Sequence, residues 1–137
     1  LSAVFADTGF WIALLNPRDS LHGKARQLDA APQFEHVVTS EMVLVEFLND
    51  AGARGPIIRE AAVRFLDQLR NDDGVTVVPQ SSQQFWTAAR MFADRPDKDW
   101  SLTDCASYLV MQDHGLVEAL SYDRHFEQMG FRALLRD

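Results

Sequence analysis

Four carboxylates, Asp7, Glu46, Asp104 and Asp123, occupy places in this 137-residue chain where solvation alone does not account for an acid. Asp7 ends the apolar run Ala3-Val4-Phe5-Ala6, and Glu46 is enclosed by Met42-Val43-Leu44-Val45 and Phe47-Leu48. Asp104 opens the segment Cys105-Ala106-Ser107-Tyr108-Leu109-Val110-Met111, and Asp123 follows Ala119-Leu120-Ser121-Tyr122. Buried like charges repel and are expensive to desolvate unless a cation sits among them. A divalent metal is the economical cation, and hard oxygen donors suit Mg2+ or Mn2+.

Each acid also has a purely structural account. Asp7 could be a turn acid after a strand, and Glu46 could pair with an arginine of another helix. Asp104 stands in Ser101-Leu102-Thr103-Asp104, a capping box with Asp in place of Glu or Gln, and Asp123 could cap the short helix after it. What separates the two accounts is whether the fold brings the four together.

The elements that must position them alternate along the chain. Strands are expected over residues 3–7, 37–39, 75–79, 119–122 and 132–135, where β-branched or apolar runs are short and bounded by turn formers. Helices are expected over 9–15, 21–31, 42–51, 57–71, 82–93, 101–114 and 124–128. The helix over 42–51 is apolar enough to be read as largely buried, with Glu46 in the driest setting of the four acids. Alternation of this kind implies a three-layer α/β/α architecture around a mostly parallel sheet, as one domain spanning residues 1–137. Parallel sheets bind ligands beyond the carboxyl ends of their strands. Asp7 and Asp123 fall at two such ends, Glu46 lies about two turns into the helix after a third strand, and Asp104 lies in the first turn of a later helix.

Composition narrows the classes. With 47% hydrophobic and 24% charged residues the chain reads as soluble and globular, and no apolar stretch reaches the length of a membrane span. Its first residues lack a secretory pattern, and a start at Leu1 without a methionine is compatible with a trimmed or cut N-terminus. The lone Cys105 excludes an internal disulfide and reads as an inert packing residue, which points to a reducing, cytoplasmic setting. The four histidines have no HxxxH spacing, against a zinc hydrolase. A net charge of −7 argues against a globally basic nucleic-acid surface. Two local groups remain: Arg54, Arg59, Arg64 and Arg70, and then Arg90, Arg95 and Lys98, either of which could equally be a solvated mixed-charge helix face.

The ordered set of Asp7-Thr8, Glu46 within an apolar helix, Ser101-Leu102-Thr103-Asp104 and Ser121-Tyr122-Asp123-Arg124-His125-Phe126 resembles a PIN-domain ribonuclease over essentially the whole chain. Size and order are most similar to the VapC-type toxins of prokaryotic toxin–antitoxin pairs. The resemblance implies a PIN-like fold and divalent-metal-dependent endoribonuclease activity on RNA. It implies Mg2+ or Mn2+ held by Asp7, Glu46, Asp104 and Asp123, with Glu46 either a ligand or a base toward the attacking water. Thr8, Ser101 and Thr103 would orient carboxylates or waters around the ion. It also implies a homodimer and a small antitoxin partner; Phe10, Trp11 and Trp100 are candidates to line the groove for that partner, or else core residues.

Three other readings compete: a free-standing PIN nuclease without an antitoxin, a different Mg-dependent phosphohydrolase or phospho-acceptor, and a non-catalytic binding module. A phosphatase beginning with DxD is disfavoured because Thr8-Gly9 follow Asp7, and a phospho-acceptor because no paired acids occur early in the chain.

Overall fold

The computed structural model describes residues 2–137. Five strands form one parallel sheet: β1 (Ala3–Ala6), β2 (His36–Ser40), β3 (Val75–Val78), β4 (Glu118–Leu120) and β5 (Arg132–Ala133). Their spatial order is β3-β2-β1-β4-β5. The chain therefore winds outward from β1 through β2 to β3, returns to the other side of β1 at β4, and ends at β5.

Right-handed crossovers in a parallel sheet send the two windings to opposite faces. Helices α1 (Thr8–Leu15), α2 (His22–Asp29), α3 (Glu41–Gly52) and α4 (Pro56–Arg70) pack on one another, and α5 (Ser82–Asp94), α6 (Leu102–Asp113) and α7 (Arg124–Gln128) form the second group. Helix α3 also touches α6, which links the two groups. The result is the three-layer α/β/α arrangement expected from the alternation. Among the described residues no helix is long and apolar enough to cross a membrane.

The core follows from strand and helix periodicity. Val4, Phe5 and Ala6 of the central strand are all fully buried, as a strand covered on both faces requires. Under α1, α3 and α4, the rings of Trp11 and Phe65 lie 5.6 Å apart and those of Phe47 and Phe65 lie 5.8 Å apart. The Trp11 indole donates to Thr39 Oγ1 (3.1 Å), and Thr39 donates to the Ala6 carbonyl (2.9 Å). This buried polar chain ties the ends of β1 and β2 together immediately before Asp7. Cys105 is buried, and burial pushes its thiol pKa up, consistent with an inert packing role.

Two expectations are corrected. Helix α3 is not buried all round: Val43, Leu44, Phe47 and Ala51 face the core, but Val45 is 54% exposed and Glu46 is half-buried. Successive side chains turn about 100° around a helix, so apolar neighbours in sequence do not enclose a residue in space. The last strand stops at Ala133 and gives way to a 3-10 turn over Leu134–Arg136. Strand geometry would put Leu134 and Leu135 on opposite faces, whereas the turn buries both.

Candidate active site

The strand order reverses at β1, between β2 and β4, and this is where an open parallel sheet leaves a crevice at its carboxyl edge. Asp7 leaves β1 there, with its N–H donating to the Leu120 carbonyl at the end of β4 (3.2 Å). A cleft of about 450 Å3 opens at that point, lined by five acids: Asp7, Glu46, Asp99, Asp104 and Asp123. Thr8, Ser101, Ser121, Tyr122 and His125 contribute to its wall, and no Lys or Arg does among the described residues. All four predicted acids thus meet in one cleft.

Local structure explains how each acid is aimed. Asp7 precedes α1 at its N-cap position, yet its side chain makes no cap hydrogen bond and accepts from Ser121 Oγ at 3.0 Å. Ser121 also accepts from the Asp123 N–H at 3.0 Å, so one hydroxyl couples the ends of β1 and β4. Asp104 does form the predicted capping box: its Oδ2 accepts from the Ser101 N–H, and Ser101 Oγ accepts from the Asp104 N–H, both at 3.0 Å. Asp123 does cap α7, accepting from the His125 N–H at 2.9 Å. Capping and site membership coexist, because a carboxylate has two oxygens and about four lone-pair directions. Among the described residues Glu46 pairs with no arginine; Thr8 Oγ1 donates to its Oε1 at 2.8 Å.

Electrostatics mark the buried acids. Asp7 is 8% exposed, and desolvation, reinforced by the charges of Asp104 and Glu46, raises its pKa from 3.8 to about 7 despite help from the Thr8 N–H and Ser121. Asp104 is 7% exposed and also raised, by burial and by Asp123, against the lowering effect of Ser101 and His125. The driest acids are therefore Asp7 and Asp104, not Glu46.

His125 belongs to this constellation, although the histidine spacing gave no sign of it. Its Nδ1 lies 2.9 Å from Asp104 Oδ2 and 3.1 Å from Asp123 Oδ1, and its Nε2 lies 3.1 Å from Asp99 Oδ1. Burial works to lower its pKa, but Asp123, Asp104 and Asp99 together raise it. Asp104, Asp123 and His125 each offer a ligand atom within 4.8 Å of the others. Asp7 and Glu46 line the same cleft outside that tight group. The position of His125, two residues after Asp123 in the same closing motif, was the available signal for it, and Ser121 at the end of β4 was missed in the same way.

The donor set fits a hard divalent cation. Carboxylate oxygens predominate, two of the acids are desolvated, and among the described residues no guanidinium or ammonium lines the cleft to neutralise them. Of the residues expected to orient the acids, Thr8 and Ser101 do so, whereas Thr103 is buried and makes no side-chain hydrogen bond among the described residues. Phe10 and Trp11 are core residues, 1% and 2% exposed, whereas Trp100, 6% exposed, lies outside the acidic cleft and lines a separate pocket with Tyr108 and Gln128.

Arg54, Arg64 and Arg70 pair with Asp50, Glu60 and Asp67 on exposed helix surface. Arg95 and Lys98 lie over the Trp100 ring, at 5.0 and 5.9 Å from its centroid, next to Asp99 and Ser101 of the cleft. Arg95 is itself held by Asp97 through two hydrogen bonds of 3.0 Å, so of this pair only Lys98 makes no salt bridge among the described residues.

A doubly covered parallel sheet with acids gathered at its switch point is the arrangement of a PIN domain, and residues 4–132 match that family. The chain belongs to the PIN domain family. It is 30% identical over 131 residues to the 23S rRNA-specific endonuclease VapC20 of Mycobacterium tuberculosis, an alignment covering 93% of this chain and 95% of VapC20. The crystal structure of Mycobacterium tuberculosis VapC20, described as a Sarcin-Ricin loop cleaving toxin, superposes with a TM-score of 0.82 over 95% of this chain and 96% of that one. FitAcB from Neisseria gonorrhoeae superposes with a TM-score of 0.64 at 16% identity, covering 95% of each chain, a likeness of fold alone.

Proposed function

We propose that this chain is a divalent-metal-dependent endoribonuclease, the toxin of a VapBC-type pair, acting as one nuclease domain over residues 1–137. The observation that carries the reading is the cleft itself: five acids without a lysine or arginine, at the switch point of a PIN-domain sheet. The similarity to VapC20 makes 23S rRNA the first substrate to try.

Asp7, Asp104 and Asp123 are the proposed ligands of Mg2+ or Mn2+, with Glu46 beside them. When bound, the ion lowers the pKa of a water ligand and offsets charge on the phosphate oxygens during in-line displacement. Ser121 fixes Asp7, the Ser101 N–H fixes Asp104 Oδ2, and the capping bond to the His125 N–H fixes Asp123. The Thr8 hydroxyl engages Glu46 Oε1 and leaves Oε2 to accept a proton from the attacking water. Lys98, over the Trp100 ring, would meet the incoming phosphate backbone, whereas Arg95 would have to exchange Asp97 for a phosphate to do so.

For a homodimer, support comes from Trp86 and Phe92 of α5, 67% and 52% exposed. An antitoxin segment would find apolar surface at Val45, Ile57 and Val63 of α3 and α4. The decisive experiment is cleavage of 23S rRNA by the purified chain with Mn2+ or Mg2+ and with EDTA. Metal-dependent scission at defined positions supports the reading. Equal activity in EDTA, or no divalent binding by calorimetry at millimolar concentration, would sink it.

A further inference from the structure

Tyr122 is the one large exposed aromatic that lines the acidic cleft among the described residues. It leaves the carboxyl end of β4 between Ser121, which holds Asp7, and Asp123. Its backbone is fixed from several sides. The Ser121 carbonyl accepts from the Leu135 N–H at 3.1 Å, the Asp123 N–H donates to Ser121 Oγ at 3.0 Å, and the Tyr122 carbonyl accepts from Arg136 Nη1 at 3.0 Å.

The ring is held as well. The Arg136 guanidinium lies 4.9 Å from its centroid, and Arg136 is itself tethered by Glu127 at 3.1 Å. This places a cation against the π-system and limits the ring's freedom before any ligand arrives. The residue nevertheless stays 52% exposed, and its hydroxyl has no protein partner among the described residues. Isolated exposed aromatics are common on protein surfaces. A pinned one, backed by a guanidinium and set between two acids of the cleft, is not explained by chance exposure. Trp100, which lies outside the cleft, makes the contrast: it is 6% exposed and its ring is covered by Arg95 and Lys98.

We propose that Tyr122, backed by Arg136, is a stacking shelf for one unpaired nucleobase of the RNA next to the cleaved phosphodiester. The inference rests on the ribonuclease reading and adds a substrate-positioning subsite to it. An aromatic face accepts any base, so the shelf selects for a splayed, single-stranded nucleotide rather than for a base identity. Duplex RNA, whose bases stay stacked, gains nothing from it. Tyr122 positions the substrate; it does not take part in the displacement.

The test compares wild type, Tyr122→Ala, Tyr122→Leu and Tyr122→Phe on an RNA stem-loop that the wild type cleaves. The same stem-loop carrying an abasic site at each nucleotide flanking the cut is assayed in parallel. Tyr122→Ala and Tyr122→Leu are expected to lower kcat/KM by about tenfold, within the range of lost base–aromatic stacks, mainly through KM. Tyr122→Phe is expected to stay near wild type. One abasic position should cost the wild type about the same factor and cost Tyr122→Ala nothing further. If the abasic penalty is equal in both proteins, or Tyr122→Ala cleaves with wild-type kcat/KM, the shelf is wrong while the ribonuclease reading stands. A wild type that cleaves no RNA overturns both.

Discussion

Along the outer side of α3 and α4, Arg54 faces Asp50 at 2.8 Å, Arg64 faces Glu60 at 2.7 Å, and Arg70 faces Asp67 at 3.4 Å, all on exposed surface. In the cleft at the carboxyl edge of the sheet, Asp7 and Asp104 are over nine-tenths buried with further acids around them and no arginine or lysine in the wall. Exposed pairs interact through water and contribute little, so their number says little about the molecule. Burial of acids this close together disfavours their charged forms, and the cleft keeps them although the cationic group nearest Asp104 is only His125. The comparison teaches where to look: function is expected where charge is costly rather than where it is abundant.

The sharpest way to break the comparison is neutralisation in the cleft. Asp7→Asn and Asp104→Asn are expected to reduce Mn2+- or Mg2+-dependent RNA cleavage by at least about 10²–10³-fold, the scale of losing a preorganised electrostatic contact. The far-ultraviolet circular dichroism of both variants should match wild type. Cleavage by either variant within a few-fold of wild type would remove these acids from the mechanism.

The second prediction concerns stability without metal. The rise of Asp7 from 3.8 to about 7 corresponds to about 4 kcal/mol against the folded, ionised state. A carboxyl raised by folding binds its proton more tightly in the folded state, so stability falls as pH climbs from about 4 to about 7 and levels off above. Asp104 is shifted the same way, and the raised pKa of His125 adds loss in the same direction. Urea unfolding in EDTA should therefore give a lower midpoint at pH 8 than at pH 5.5. Asp7→Asn should raise the pH 8 midpoint and flatten the slope. A wild-type midpoint that rises with pH over this window would contradict the electrostatic account.

Metal should reverse that penalty. At about 100 times its dissociation constant, Mn2+ is expected to stabilise the wild type by about 2.7 kcal/mol; at one fixed Mn2+ concentration the gain should be larger at pH 8 than at pH 6, because binding displaces protons. Thermal melts with Mn2+ and EDTA measure this, and an unchanged Tm would leave the acids without their cation. A smaller effect is expected at His125. His125→Asn removes a contact that spans Asp104, Asp123 and Asp99, and Mn2+ affinity by calorimetry should weaken about 10–100-fold. The smallest belongs to the other region: Arg64→Ala should change stability by less than about 0.5 kcal/mol and leave cleavage rates alone. A tenfold loss of cleavage there would mean that the arginine-rich face binds RNA and that the comparison was drawn in the wrong place.

Much of the architecture was readable from local pattern. Helix α7 has the bounds its flanking residues implied, and the Ser101–Asp104 box opens α6 because both halves of that signal lie within four residues. The structural accounts of Asp104 and Asp123 hold alongside their place in the cleft, since one carboxylate can cap a helix and face a site together. Less legible was the degree of burial. Glu46 looked driest from its neighbours in sequence, yet helical rotation turns it toward the cleft and leaves Val45 in solvent. Consecutive Leu134 and Leu135 looked like strand, but burying both required a tighter turn, and that turn is what carries Arg136 to Tyr122.

By itself the sequence determined the kinds of element, their alternation and the four acids, because turn chemistry, periodicity and residue type are local properties. The tertiary structure alone decided which groups meet. His125 reaches Asp104 across 21 positions, and Ser121 reaches Asp7 across 114. These contacts depend on β1 lying between β2 and β4, a pairing between strands far apart in the chain. The desolvation that lifts Asp7 to about 7 is equally a property of the assembled cleft, since it depends on what surrounds the carboxylate in space.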